Sequence, residues 1–398
     1  MNLSIRKSSH DSKAYLAFSH EASVSVIDLG SDSVVSKVQD SPITHSESIT
    51  ALAFEDGLIG SVDTEKKLIL WEVKDCDDGA ILVPINSTTV RKKAVSLHFH
   101  SMFGTKIIVV GMNNGEVGAF PAVAPSENEN KMKTLYKTLV THSCSMITTV
   151  AFSNNGNFLL TGDRDEQVRV THFPRTHLIH SFCLGHTAFV TCVLAVPFDD
   201  NYILSSSGDG SIRCFNIAEG KEVLCFDAFD LEPQSSRLAD GAGSSSENPL
   251  PEGIVVREIV AAESQGNVKT SDSCDFFVRF DGTNTVVRFK MEKTGEKISE
   301  LKDMVYLKLT DLQSLSSIVA LQSVDGTVLC AAGMSVNKES FAVYKYEINE
   351  ESKGGNGLSG KLIVSKARNS TANSLSEGLY KGMQKNNHKR KIDVLTLP

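Results

Sequence analysis

Four stretches of the chain share one pattern, in which a polar turn leads into a strand of alternating polar and apolar residues. They are GSVDTEKKLILW at Gly60–Trp71, VGMNNGEVGAF at Val110–Phe120, TGDRDEQVRVT at Thr161–Thr171 and SSSGDGSIRCF at Ser205–Phe215. Their aligned turn residues are Glu65, Asn114, Asp165 and Asp209, which follow one another at intervals of 49, 51 and 44 residues. A period of this length indicates a repeat built from small sheets.

Two histidines mark the same repeat. His142 and His186 each stand 23 residues before an aligned turn aspartate, Asp165 and Asp209. A histidine near the start, a turn aspartate and a final tryptophan are typical of the WD repeat, and Trp71 stands at the tryptophan position. We therefore predict a buried hydrogen-bond network that includes all five residues, in preference to catalytic His–Asp dyads.

Short β-type runs dominate the chain, and long amphipathic helices are absent from the pattern. The sequence predicts an all-β fold, a seven-bladed WD-repeat β-propeller over residues 1–350. Residues near Ser4–Lys7 are expected to supply an outer strand that closes the ring against the last blade. Residues 229–252 are predicted to form a flexible inter-blade loop, and residues 351–398 a mostly disordered tail with a basic cluster.

The composition narrows the class of function. The 398 residues carry a formal net charge of -8, which argues against a chain that binds nucleic acid over its whole surface. The apolar runs are too short to span a membrane, and no secretory signal is apparent. Eight scattered cysteines without a CxxC pair indicate the reduced thiols of an intracellular protein.

The sequence contains none of the motifs that would place a catalytic residue or a metal site. Asp163, Asp165 and Glu166 are close enough in sequence to suggest a cation site, but aspartate is common in turns, and Arg164 lies among them. Local ion pairs are the simpler interpretation. Arg169 alternates with two valines, so its side chain should face away from theirs.

The basic run Lys389, Arg390 and Lys391 lies near the end of the chain. Such a run is typical of a nuclear signal or of a tail that contacts RNA, and a solvated charged terminus has the same composition.

One segment carries a more specific resemblance. The stretch Leu159–Val190 contains the DRDE turn at Asp163–Glu166, a V-R-V strand at Val168–Val170, Pro174, and FCLGH at Phe182–His186. It resembles the WD-repeat non-catalytic subunit of the eukaryotic tRNA (guanine-N7) methyltransferase.

The resemblance implies a scaffold without an active site that docks to and stabilises a catalytic subunit as a heterodimer. The cysteine usage is consistent with the cytosol or the nucleus, and with the basic run we expect the nucleus. The catalytic partner would bind S-adenosylmethionine, make most contacts to tRNA, and form N7-methylguanosine at guanosine 46 of the variable loop. Arg164, Asp165, Glu166 and Arg169 would form the partner-binding site. Arg169 would either pair with an acid of the partner or order the turn through Glu166. A generic interaction scaffold for ribosome assembly or a ubiquitin ligase is the alternative.

Overall fold

The computed structural model describes most of the chain. The described residues are 2–7, 14–30, 33–34, 37–38, 42–76, 79–122, 136–143, 145–227, 255–262, 272–295, 297–298, 302–323, 326–336, 340–348 and 361–367. The predicted loop at 229–252 and the basic run Lys389–Lys391 lie outside them.

The described strands form seven sheets, each hydrogen-bonded in a largely sequential order. Sheet 1 contains β1 (Asn2–Lys7), β2 (Ala14–His20), β3 (Ser23–Asp28) and β4 (Ser33–Val34). Sheet 2 contains β5 (Lys37–Val38), β6 (Ile49–Glu55), β7 (Leu58–Asp63), β8 (Lys67–Cys76) and β9 (Gly79–Thr89). Sheet 3 contains β10 (Ala94–Met102), β11 (Thr105–Met112), β12 (Glu116–Pro121) and β13 (Lys137–Thr141). Sheet 4 contains β14 (Ile147–Phe152), β15 (Phe158–Asp163), β16 (Val168–His172) and β17 (Ile179–Cys183).

The remaining three sheets follow the same plan. Sheet 5 contains β18 (Val190–Ala195), β19 (Tyr202–Ser207), β20 (Ser211–Asn216) and β21 (Glu222–Asp227). Sheet 6 contains β22 (Val256–Ala261), β23 (Ser273–Phe280), β24 (Thr285–Thr294), β25 (Lys297–Ile298) and β26 (Lys302–Lys308). Sheet 7 contains β27 (Leu312–Ser323), β28 (Gly326–Ser335), β29 (Ser340–Ile348) and β30 (Lys361–Ala367).

The innermost strands of the sheets contact one another in a ring. In chain order these strands are β1, β6, β10, β14, β18, β22 and β27, and β27 also contacts β1. Each sheet therefore radiates outward from a common centre, and the predicted all-β propeller class is confirmed.

The closure of the ring differs from the prediction. The segment near Ser4–Lys7 belongs to β1, which pairs with β2 and is the innermost strand of sheet 1, because it contacts β6 and β27 of the neighbouring sheets. The outer strand of sheet 7 is β30, which pairs with β29. The predicted boundary at residue 350 is therefore wrong, since β30 lies inside the region expected to be a disordered tail. β30, with the sequence KLIVSKA, holds only a three-residue apolar run inside a polar stretch, which is too short to predict a strand from sequence alone.

One irregularity recurs in six sheets. The innermost strand skips one residue in its pairing directly after its first residue, which is the mark of a β-bulge. The skipped residues are Thr50, Val95, Thr148, Thr191, Arg257 and Gln313. The hydroxyl of Thr50 lies 3.2 Å from the carbonyl of Ala94, and that of Thr191 donates to the carbonyl of Val256 at 2.7 Å. The bulge thus brings polar side chains into contact with the next sheet.

The apolar core lies between neighbouring sheets. Val168 and Val170 of β16 are fully buried and pack with Ile203 and Phe215 of sheet 5. Interleaved faces of this kind repeat around the ring and stabilise it by removing apolar surface from water. No helix in the described ranges is long and apolar enough to cross a membrane.

We predict that Gly115→Ala destabilises the fold by about 1–3 kcal/mol more than Gly104→Ala. Both glycines have positive φ, so both variants carry the same left-handed backbone strain. A Cβ at Gly115 would lie 2.4 Å from the carbonyl oxygen of Ser145 and 2.5 Å from that of His142, whereas a Cβ at Gly104 meets nothing within 4 Å. Urea unfolding of the two variants measures the difference, and equal midpoints would show that the close contact is relieved without cost.

Candidate functional site

The predicted partner-binding residues lie on one face of the ring. Antiparallel pairing places the end of the second strand on the same face of the ring as the start of the innermost strand, and we call this the upper face. The DRDEQ turn, Asp163–Gln167, joins β15 to β16 on the upper face of sheet 4. It contains Arg164, Asp165 and Glu166, and Arg169 follows on β16.

A buried aspartate organises this turn. Asp163 is 2% exposed, and its Oδ2 lies 2.9 Å from His142 Nδ1. Its Oδ1 accepts hydrogen bonds from the backbone N–H groups of Asp165 and Gln167 at 2.9 and 3.0 Å. His142 Nε2 lies 2.8 Å from the hydroxyl of Thr161. One carboxylate therefore ties the entering segment to both ends of the turn.

The network aspartate of sheet 4 is Asp163, so the predicted assignment to Asp165 is wrong. Asp163 is the last residue of β15 and points inward, while Asp165 lies two residues further along, at the tip of the turn. The Asp165 side chain is 33% exposed, and its Oδ1 lies 3.5 Å from Arg164 Nε. The residue spacing alone could not distinguish these two aspartates.

Sheet 2 holds a fuller version of the network, of which the sequence pattern reveals only Trp71. The Trp71 indole N–H donates to Ser61 Oγ at 2.8 Å, and Ser61 Oγ lies 2.7 Å from His45 Nε2. His45 Nδ1 lies 2.8 Å from Asp63 Oδ2. Since Ser61 accepts from Trp71, its own hydrogen is available to His45 Nε2. His45 then carries its proton on Nδ1, and this N–H donates a hydrogen bond to the Asp63 carboxylate.

His45 and Asp63 are missing from the predicted network because their spacing is shorter. They are 18 residues apart, against 21 for His142 and Asp163. The usable signal is the aspartate two residues before the aligned turn position, since Asp63 precedes Glu65 as Asp163 precedes Asp165.

Sheet 5 reaches the same arrangement with a displaced aspartate. Ser207 pairs with Val190 as Asp163 pairs with Ile147, so a serine occupies the strand-end position. Asp209, two residues later, reaches back so that its Oδ2 lies 3.2 Å from His186 Nδ1. Burial acts to raise the pKa of Asp209, but the hydrogen bond and charge of His186 outweigh it and hold that pKa well below its usual range. His186 Nε2 lies 2.8 Å from Ser205 Oγ.

Phe215 and Thr171 stand where sheet 2 has Trp71. Phe215 is fully buried and contacts the His186 ring edge-on at 6.4 Å between centroids. Thr171 is buried too, and within the described ranges its hydroxyl has no hydrogen-bond partner. Sheets 4 and 5 therefore keep the histidine and aspartate contacts while lacking the indole donor.

Arg169 is a half-buried cation on β16. Its Nη1 donates a long hydrogen bond, 3.5 Å, to the carbonyl of Thr141, and its buried Nε has no hydrogen-bond partner among the described residues. Burial lowers the pKa of Arg169, although the nearby Asp163 charge opposes this. Within the described part of the chain, Arg169 forms no ion pair. The described contacts that order the turn are those of Asp163, and the suggested role of Arg169 through Glu166 stays a prediction.

Arg213 provides a direct comparison. It pairs across the sheet with Ser205 as Arg169 pairs with Thr161. The Arg213 guanidinium, however, forms an ion pair with Glu222, and its Nε donates to Ser211 Oγ at 3.2 Å. Two arginines at equivalent positions thus differ in whether a carboxylate of the described residues compensates their charge.

Exposed apolar side chains lie directly beside Arg169. Phe182 on β17 is its cross-strand partner and is 41% exposed. Leu178, Ile179 and Leu184, on or beside the same outer strand, are exposed as well, Leu184 by 60%. Several large apolar side chains exposed near one another are typical of a protein-binding surface.

Metal binding finds no support in the described residues, because no three side chains of histidine, cysteine, aspartate or glutamate gather there in a suitable group. In the DRDEQ turn, Asp163 is already occupied by His142 and two backbone N–H groups.

Residues 82–345 match the protein family described as the tRNA methyltransferase TRM82 WD40 domain. The chain belongs to this family. The match covers sheets 3 to 6 completely and includes the DRDEQ turn, Arg169 and the exposed strand β17.

Curated relatives carry matching names. The chain is 30% identical over 282 residues to the tRNA (guanine-N(7)-)-methyltransferase non-catalytic subunit wdr4 of Dictyostelium discoideum, covering 71% of this chain and 51% of that protein. It is 32% identical over 194 residues to the subunit WDR4 of Mus musculus, covering 48% of this chain and 42% of that protein. The matched region spans about half the length of these relatives, or less.

Among solved structures, the chain is similar to the β-propeller domain of Cps50 (Swd1) from Myceliophteria thermophila, with a TM-score of 0.55 and 13% sequence identity. The likeness covers 85% of this chain and 94% of that domain. At this identity it supports the propeller fold and nothing further.

We predict that Asp163→Ala lowers the free energy of unfolding by about 1–3 kcal/mol, because it leaves His142 and two turn N–H groups without their acceptor. Asp165→Ala, two residues away, removes a partly exposed side chain and should cost about 0.5 kcal/mol or less. Chemical denaturation of both variants tests the assignment. A larger decrease in the free energy of unfolding for Asp165→Ala than for Asp163→Ala would show that Asp165 is the network aspartate.

The fold should lose stability as the pH falls from about 7.5 to about 5.5. Burial lowers the pKa of His45 below 6.5, against the opposing effect of Asp63, and burial followed by the charge of His98 lowers that of His100. Both rings therefore bind protons more readily in the unfolded chain. Their contribution to stability is fully present above the unfolded-state pKa of about 6.5 and is lost as the pH falls below it, towards their lowered pKa in the folded chain.

Thermal unfolding across this pH range measures the effect. His100→Gln should remove part of the slope while leaving the network of sheet 2 intact. A melting temperature that stays level from pH about 7.5 to about 5.5 is the contrary result.

Proposed function

We propose that this chain is the non-catalytic scaffold subunit of a heterodimeric tRNA methyltransferase that forms N7-methylguanosine at guanosine 46 in the tRNA variable loop. The observation that carries the proposal is the family match over residues 82–345. The names of the relatives, non-catalytic subunits of a tRNA (guanine-N(7)-)-methyltransferase, agree with it. The catalytic subunit would be a separate chain that binds S-adenosylmethionine and makes most of the tRNA contacts.

We infer that the seven sheets are the seven blades of one closed ring. The contact of β27 with β1 supports this, together with the hydrogen bond from Lys345 Nζ in sheet 7 to the carbonyl of Leu29 beside sheet 1, at 3.3 Å. A closed ring resists deformation, which suits a chain whose task is to hold another protein in one conformation.

The docking surface proposed for the catalytic subunit is the outer side of sheet 4. It combines Arg164, Asp165 and Glu166 at the upper turn, Arg169, and the apolar rim around Phe182. Arg169 is partly buried and no carboxylate of the described residues pairs with it, an arrangement that is unfavourable for an isolated chain. An acid of the partner would compensate this charge, while the apolar side chains beside it would be removed from water.

Location in the nucleus is part of the proposal and rests on Lys389, Arg390 and Lys391. These three residues lie outside the described part of the chain, so they are tested through localisation. Replacing all three by glutamine in a fluorescently tagged chain should reduce its nuclear fraction.

The function is tested by reconstitution. This chain and the methyltransferase of the same organism should together methylate a tRNA transcript at guanosine N7, and neither chain should do so alone at a comparable rate. Full activity of the methyltransferase without this chain would contradict the scaffold role. It would favour a generic interaction propeller, whose partners lie elsewhere.

Arg169→Ala should weaken binding of the catalytic subunit by about 2–5 kcal/mol, much of it from the partner's unpaired acid. The matched control is Arg213→Ala, which breaks the internal ion pair with Glu222 and should leave the heterodimer affinity within about threefold. Isothermal titration of the two purified subunits measures both. Equal changes in heterodimer affinity for the two substitutions would show that Arg169 does not lie in the interface.

A further inference from the structure

We propose that the upper face of sheets 2 and 3 binds the phosphate backbone of RNA through five basic side chains. The five are Lys66, Lys67, Arg91, Lys92 and Lys93, and we call them the upper basic cluster. The inference rests on the proposed function for the choice of RNA as the polyanion.

Two separate segments bring the cluster together. Lys66 and Lys67 lie at the turn between β7 and β8, and Arg91–Lys93 connect β9 to β10. The backbone N–H of Val90 donates to the carbonyl of Lys66 at 2.8 Å, and that of Asn113 donates to the carbonyl of Lys93 at 3.0 Å. The two segments are therefore held side by side, spanning the upper edges of two adjacent sheets.

The upper basic cluster is a positively charged region on a chain whose net charge is negative. The whole chain has a net charge of -8, but the neighbouring carboxylates Asp63 and Glu116 are buried and already bound within the fold. Among the described neighbours, Glu47 and Glu65 remain exposed. The four lysines form no ion pair with any described residue. The Lys67 ammonium donates a hydrogen bond to the carbonyl of Thr44 at 2.6 Å, so it is held in place within the cluster. The charges of the other three lysines are available to an anion from outside.

Contacts within the fold hold the Arg91 side chain in place before any ligand binds. Its guanidinium carbon lies 4.2 Å from the centre of the Tyr136 ring, and its Nη1 lies 3.4 Å from Glu116 Oε1. The tyrosine hydroxyl and the Thr138 hydroxyl in turn donate to the same Glu116 oxygen. The arginine side chain is nevertheless 62% exposed, so the guanidinium can still donate to a phosphate. A cation held in place before binding loses less conformational freedom when the ligand arrives.

The surroundings favour RNA over an acidic protein. The exposed large apolar side chains of the described residues lie elsewhere, for example at Phe103 and along β17. Protein interfaces usually have an apolar centre, whereas contacts to a phosphate backbone are made by separate basic and polar groups.

The cluster also lies next to the proposed docking surface. Glu116, which Arg91 contacts, pairs across sheet 3 with Thr141, and the carbonyl of Thr141 accepts the hydrogen bond of Arg169. An RNA held by a catalytic subunit on sheet 4 would therefore need to extend by about one blade to reach the basic cluster. The propeller would then contribute to substrate binding as well as to the stability of its partner.

The test compares two triple variants that remove the same charge. The cluster variant carries Lys66→Gln, Lys92→Gln and Lys93→Gln, which together remove three of the five positive charges of the upper basic cluster. Lys74→Gln, Lys137→Gln and Lys221→Gln form the control, since these three exposed lysines lie away from the upper edge of sheets 2, 3 and 5. Binding of a fluorescent unmodified tRNA transcript is measured by anisotropy over a range of salt concentrations, for the heterodimer and for the chain alone.

The cluster variant should weaken tRNA binding by the heterodimer about tenfold or more near physiological salt. The slope of log K against log salt should fall in magnitude by about 2–3, since each lost phosphate contact accounts for about 0.7–0.9. The control variant should change the slope by less than about 1.

Equal slopes in the two triple variants would overturn the proposal. So would loss of heterodimer formation in the cluster variant, which would assign these lysines to a protein contact. If the chain assembles with no methyltransferase at all, the proposed function fails, and the slopes of the chain alone still decide whether the cluster binds RNA. Melting temperatures of both triple variants confirm that each is folded.

Discussion

The structure depends on a carboxylate buried under the upper turn of a sheet. In sheets 2 and 4 this carboxylate belongs to the last residue of the second strand, Asp63 or Asp163, and it binds a histidine from the entering segment on one side. With its other oxygen it accepts backbone N–H groups of the turn or the strand after it. A buried carboxylate is tolerated only when such donors surround it, so the entering segment, the strand end and the turn are held in one arrangement.

That arrangement decides which side chains of the DRDEQ turn face outward. Because Asp163 points inward, Arg164, Asp165 and Glu166 are left on the upper surface, and Glu166 adopts a positive φ of 73°. The strand that follows buries Val168 and Val170 against sheet 5, which turns Arg169 to the other side of sheet 4. A structural network and a binding surface thus occupy alternate residues of one short segment. The same alternation explains why the segment is both stable and available to a partner.

Sequence reasoning reached the fold class and the repeat register, because both follow from periodic patterns. Glu65, Asn114, Asp165 and Asp209 do occupy equivalent turn positions. What spacing could not supply is the direction of a side chain. Asp163 and Asp165 are both acidic and two residues apart, and in sheet 5 the carboxylate has moved to the later position, with Ser207 at the strand end. The positions of β1 and β30 in their sheets were not predicted for a related reason. Strand order across a closed ring is set by contacts between residues that are distant in sequence.

Hydrogen–deuterium exchange of the full chain, with and without the catalytic methyltransferase of the same organism, tests the central claim most directly. The account predicts that amides of residues 163–184 gain the largest protection on binding, with the strands of sheets 6 and 7 unchanged. Protection confined to other blades, with residues 163–184 exchanging at the same rate in both states, would contradict it.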